Sequence, residues 1–201
     1  MRTYDGKSAE ERRAERRERL IDAGLELFAA HGFASTSIRA VLRTSGLQER
    51  YFGESFPDLD HLLAAVHDRI LDQELTACRT ALDGPGTPAQ RVRAMLGTLM
   101  DLLAEDPGRA RIKMREVTGA GPVSLAHRRQ GVSAFAELIC ELLPPPAAGG
   151  EPDRFFLAVG LVAAVYELMT SWVDGEPDLN PKKICDLGTM LFEAVTARLD
   201  R

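Results

Sequence analysis

Between Thr36 and Phe56 the chain reads TSIRAVLRTSGLQERYFGESF, a stretch dense in side chains that hydrogen-bond to base edges and phosphates. Arg50 carries the planar fork that matches guanine O6 and N7, and the Gln48 amide matches adenine. Glu49, Tyr51, Glu54 and Ser55 share the exposed side of the same segment, where a hydroxyl can donate to a phosphate oxygen. Upstream, Thr36 and Ser37 stand at a helix start, where free backbone N–H groups make an anion site. Arg39 and Arg43, four residues apart, lie on one side of that helix and within reach of a phosphate backbone.

Three short helices must position these groups. Ser8 followed by Glu11 is a capping box, and apolar residues at Leu20, Ile21, Ala23, Leu27 and Phe28 keep helical spacing up to His31-Gly32. Thr36 and Ser37 offer N-cap hydroxyls to a second helix whose stripe is Ile38, Val41 and Leu42, broken at Ser45-Gly46. Gln48 to Ser55 makes the third, with Phe52 facing inward and Phe56 anchoring its exit. This is the helix-turn-helix arrangement, whose second helix lies in a major groove. Spacing alone leaves the alternative open, because any pair of short helices joined by glycine shares it.

Composition bounds the rest. The 201 residues are 45% apolar, enough for a sizeable core. A formal charge of -5 looks wrong for a nucleic-acid partner, but it is unevenly spread: residues 1–57 hold ten Lys/Arg against nine Asp/Glu, residues 58–201 fifteen against twenty-one. Arg12, Arg13, Arg16, Arg17 and Arg19 alternate with Glu10, Glu11, Glu15 and Glu18, which reads either as a solvated helix face or as a basic arm on phosphate. Cys78, Cys140 and Cys185 fit no disulfide or zinc pattern and read as buried small apolar residues in a reducing, cytoplasmic setting. The longest apolar run, FFLAVGLVAAVY from Phe155 to Tyr166, has 12 residues against the roughly 18 that span a bilayer, so no membrane segment is expected. With no Gly-rich phosphate loop, nucleophile elbow or paired-carboxylate motif, and with His31, His61, His67 and His127 at separate sites, no catalytic residues, metal or cofactor are expected. Asp58 and His61 read as a helix cap.

The stretch from Arg19 to Leu63 resembles the DNA-binding domain of TetR-family transcriptional regulators. The matching landmarks are Ala23 to Phe28, His31-Gly32-Phe33, Thr36-Ser37-Ile38, Gly46-Leu47 and Phe56-Pro57 followed by Leu62-Leu63. The resemblance implies an all-α, homodimeric, ligand-responsive repressor that reads a double-stranded DNA operator with Gln48 to Ser55, effector binding shifting helix four and with it the spacing of two reading heads. The chain departs from the pattern at Gly53, where such proteins usually carry tyrosine, at Leu59 in place of a phosphate-binding lysine, and at Gln48 in place of a Ser or Thr cap.

Past Pro57 longer helices are expected: Asp58 to about Leu82; Thr87 to Asp106; a basic helix Arg109 to Val117; Val123 to about Leu142; about Pro152 to Val173; and Pro181 to about Leu199. The whole reads as about nine helices, with a helix-turn-helix domain at 1–57 and a ligand-binding and dimerisation bundle at 58–201. Apolar all round, the eighth helix must be covered on every side. Small Ala158, Gly160, Ala163 and Ala164 allow close approach on one face, and with Leu161, Val162 and Val165, and Leu187, Leu191 and Val195 of the ninth, form the expected dimer interface. Leu99, Met114, Phe135, Tyr166, Met169 and Trp172 are the candidate wall for a small apolar or aromatic effector, or else plain core. The contrasting expectation is a helical ligand-binding or adaptor protein whose reading head has weakened.

Overall fold

The computed structural model describes residues 8–145 and 153–199, and among these all regular structure is helical. The first helix, α1 (Ala9–His31), begins at the expected capping box: Ser8 Oγ accepts from the Glu11 N–H and the Glu11 carboxylate from the Ser8 N–H. It ends at Gly32, whose φ of 78° only glycine adopts without strain. Ser37 caps α2 (Ile38–Ser45), and Gly46, left-handed at φ 66°, turns the chain into α3 (Glu49–Gly53). That helix is shorter than Gln48–Ser55: Gln48 is its N-cap without a side-chain bond, and Gly53 ends it.

Asp58 caps α4 (Leu59–Leu82), accepting from the His61 N–H and pairing with its imidazole at 2.8 Å. A second capping box, Thr87 with Gln90, opens α5 (Pro88–Glu105). Where one plain basic helix is expected, the chain makes a composite α6: an α segment Pro107–Arg111, a π-helical turn Ile112–Glu116 and a last α turn Val117–Gly119. Then come α7 (Pro122–Cys140), α8 (Arg154–Val173) and α9 (Pro181–Leu199), nine helices among the described residues. The expected start at Pro152 and most of the Pro144–Gly150 linker lie outside them.

Two apolar cores share one helix. Leu20, Phe28, Val41, Phe52 and Phe56 of the head pack on Leu62, Leu63, Val66 and Ile70 from the first half of α4. Its second half, Leu71, Cys78 and Leu82, belongs to the body core with α5, α7, α8 and α9. Cys78 and Cys185 are buried but Cys140 only partly so, which corrects the reading of all three as core. Burial pushes the Cys78 thiol up to about 12, leaving it a small apolar side chain.

The apolar stretch of α8 is longer than the 12-residue run Phe155–Tyr166. Only Arg154 and Glu167 are charged in its 20 residues, so the apolar stretch continues through Leu168–Val173 and the helix is by length and composition long enough to cross a membrane. Within one chain its outer face is bare: Phe156 is 69% exposed, Gly160, Ala163 and Ala164 are exposed, and so is Met190 of α9 at 55%.

The Asp60 carboxylate, one turn into α4, caps α7 from outside, accepting from the N–H groups of Val123 and Ser124 at 3.0 Å and from the Ser124 hydroxyl at 2.5 Å. Burial raises its pKa, but these hydrogen bonds outweigh it and hold the carboxyl below its ordinary value. Asp60→Ala should therefore lower urea-unfolding stability by about 1–3 kcal/mol at pH 7, since it takes the acceptor from the Val123 and Ser124 N–H groups at the start of α7. A group depressed in the folded chain stabilises above its unfolded pKa and stops doing so as pH falls through the folded one, so the deficit should narrow below the ordinary carboxyl value of 3.8. A gap equally large in acid would show that the charge of Asp60 contributes nothing.

Candidate functional site

The helix-turn-helix puts most, not all, of the anticipated polar groups on its surface. Gln48, Glu49 and Arg50 are exposed at the start of α3, Arg39 and Arg43 along α2. Neither Arg39 nor Arg43 forms an ion pair among the described residues, so both leave positive charge outside. Tyr51 is half-buried between two guanidinium groups, Arg16 at 4.4 Å and Arg50 at 4.6 Å from its ring, and its hydroxyl accepts from Arg50 at 2.8 Å. Ser55 is half-buried at the exit of the head.

Two candidates are occupied within the protein. Thr36 is 8% exposed and its hydroxyl donates to the Gly32 carbonyl at 2.8 Å, closing the turn after α1 instead of facing a phosphate. The Glu54 carboxylate pairs with Arg16 at 3.2 Å, and its carbonyl accepts from Arg13 at 2.8 Å. The arginine-rich stretch is thus part of α1, and part of it works as a brace: Arg19 holds the Ser45 carbonyl at 2.5 Å, Arg17 lies 5.0 Å from the Phe56 ring centre, and Arg69 of α4 pairs with Glu18 and Asp22. Gly53 has open space around it, and Leu59 packs on the head core.

The body holds a cavity of about 50 Å³, partly open to the surface, between α4, α5, α7, α8, α9 and the π turn. Four of the six pocket candidates line it: Leu99, Phe135, Tyr166 and Met169. Met114 and Trp172 do not; the Met114 sulfur instead accepts from the Thr170 hydroxyl at 3.8 Å, and Trp172 packs at the core's edge. Leu161, Val162 and Val165, expected at a dimer interface, also line the cavity, and Ala158 has no exposed surface. The reason is rotational: these residues lie on the inner face of α8, while its outer face is Phe156, Gly160, Ala163 and Ala164. Leu187, Leu191 and Val195 of α9 are half-buried.

Sequence reasoning missed the polar part of the cavity. Lys113, 4% exposed, forms a buried ion pair with Glu74 and lies 4.9 Å from the Phe135 ring centre. The Tyr166 hydroxyl donates to the Lys113 carbonyl at 2.6 Å; burial raises the phenol pKa, partly offset by Arg128, so it stays a donor. His67 and Arg128 line the same space. In sequence Lys113 and Arg128 sit in basic runs that look solvated, and only the packing shows them turned inward.

The π turn also reaches the head. Three residues beyond Lys113, the Glu116 carboxylate accepts the Phe33 N–H at 2.8 Å, just past the end of α1, and Arg111 donates to the Ala29 carbonyl.

Residues 20–66 match the family described as bacterial regulatory proteins, tetR family. The HTH-type transcriptional repressor KstR of Mycolicibacterium smegmatis is 30% identical over 151 residues, 74% of this chain and 72% of that one. The HTH-type transcriptional activator FasR of the same organism is 22% identical over 180 residues, 90% and 82% of the two chains. In fold the protein is similar to the transcriptional regulator FadR of Bacillus subtilis, solved in complex with stearoyl-CoA, with a TM-score of 0.69 at 14% identity over 90% of this chain and 97% of that one. With the reading head assembled as described and a KstR match across nearly three quarters of either chain, the protein belongs to the tetR family and is a DNA-binding transcriptional regulator of the helix-turn-helix type.

Proposed function

We propose that it is a cytoplasmic, homodimeric repressor that leaves its operator when an apolar effector enters the body. Labour is divided as the sequence suggests, residues 1–57 reading DNA and residues 58–201 binding the effector and pairing the subunits. The observation that carries the DNA assignment is the exposed start of α3, where Gln48, Glu49 and Arg50 stand together beside the unpaired Arg39 and Arg43. Arg50 leaves only a neutral partner, the Tyr51 hydroxyl, when it turns to a guanine. Ser37, Arg39 and Arg43 then take the phosphates, and Tyr51 and Ser55 flank the groove.

Dimerisation is supported by the outer face of α8. A helix this apolar, with Phe156 at 69% exposure and small Gly160, Ala163 and Ala164 beside it, buries that face against its symmetry mate and α9 supplies Met190 to the same seam. Two heads on one two-fold axis meet half-sites roughly 34–36 Å apart. A long apolar chain as effector is supported by the stearoyl-CoA in the Bacillus subtilis relative and by the apolar cavity wall.

Two experiments test this reading. In gel-shift titrations against an operator selected from random duplexes, Arg50→Ala should reduce the preference for operator over scrambled DNA by about 1–3 kcal/mol while sequence-independent binding persists. An undiminished preference would remove Arg50 from base readout. In sedimentation at micromolar protein, Ala163→Glu should convert a two-chain species to a folded monomer that binds the operator weakly; a dimer that survives the charge would place the subunit contact elsewhere.

A further inference from the structure

The cavity wall holds a positive charge that no carboxylate among the described residues answers. Arg128 lies with its guanidinium carbon 4.3 Å from the centre of the Tyr166 ring, and its Nε is buried without a hydrogen-bond partner. Among the described residues it has no ion pair, in contrast to Lys113 in the same wall, which Glu74 neutralises. Beside it His67, 2% exposed, lines the cavity with its Nδ1 also unpartnered, the closest carboxylate oxygen being 3.7 Å away on Asp68. Leu99, Phe135 and Met169 make the rest apolar.

A half-buried guanidinium with an aromatic face on one side has donors for a planar, doubly accepting anion on the other. A neutral ligand would remove its remaining water and leave the charge unanswered, which is unfavourable. An apolar wall next to one such cation selects a molecule with a carbon body and a single anionic end. We infer that the effector is an apolar monocarboxylate whose carboxylate pairs with Arg128 and whose chain lies against Leu99, Phe135 and Met169, with His67 next to the head group. The inference rests on the proposed effector role of the cavity and names its ligand class.

Calorimetric titration of the full-length protein with decanoate, decanol and decanoyl-CoA tests it. Decanoate should bind at least tenfold tighter than decanol. Arg128→Met should weaken decanoate about ten- to hundredfold and change decanol less than threefold, with Arg128→Lys recovering part of the loss. Decanol binding as tightly as decanoate in the wild type, which involves no variant, would overturn the assignment, as would an equal loss of both in Arg128→Met. Decanoyl-CoA binding more than tenfold tighter than decanoate would also overturn it, in favour of a thioester whose chain end bears no charge. Operator binding by the same preparation separates this from the regulator reading: a protein that binds operator but no carboxylate sinks only the ligand class, and one that binds no operator sinks the regulator reading itself.

Discussion

Helices of eight and five residues cannot hold themselves together, because isolated helices shorter than about 12 residues are marginal in water. The head of this protein exists because α4 lends it a wall. Leu62 and Leu63 are wholly buried there, Val66 and Ile70 nearly so, and Phe28, Val41, Phe52 and Phe56 close over them. Half of the same helix is committed to the body core, and Ile112 and Val117 at either end of the π turn also belong to the head while Met114 between them belongs to the body. The chain therefore has two functional regions but no apolar boundary between them. A shift of α4 in the body is a shift of the surface on which α2 and α3 rest.

How much of this was legible in the sequence follows from the range of each interaction. Caps are local: Ser8 with Glu11, Ser37, Asp58 and Thr87 each contact a backbone group two or three residues on, and all four helix starts are where their side-chain chemistry predicts. The inward faces of α1, α2 and α4 were equally readable, because period 3.6 selects them. The π turn was not readable, since Ile112–Glu116 has ordinary helix-forming residues. Nor were Asp60 with Ser124 or Glu116 with Phe33, pairs separated by 64 and 83 positions. On α8 apolar residues occur all round, so periodicity gives no inner face: of the residues expected at the interface, Leu161, Val162 and Val165 line the cavity while Gly160, Ala163 and Ala164 are exposed.

Several arginines of the head are engaged within the protein. Arg13, Arg16, Arg19 and Arg69 are held by protein oxygens and fix the relation of α1 to α2, α3 and α4. Arg39, Arg43 and Arg50 are held by no carboxylate among the described residues. Arg39 and Arg43 on α2 and Arg50 on α3 are exposed, while the contacts of Arg13, Arg16 and Arg19 tie α1 to α3 and to the end of α2.

The cavity's volume constrains how a ligand can act. About 50 Å³ accommodates a few waters, so any molecule with an alkyl chain must displace wall residues to enter. Met95 and Met169 yield readily, having unbranched side chains with several rotamers. Lys113 does not yield alone, because separating it from Glu74 would strand a buried charge at a penalty of about 3–5 kcal/mol. The pair moves with its backbone or stays. On the reading proposed above, pressure on Lys113 therefore passes along a single π turn to Glu116, whose carboxylate holds the Phe33 N–H at the end of α1. A rearrangement in the body and a change in the set of the head are then one displacement, transmitted by an ion pair too expensive to break.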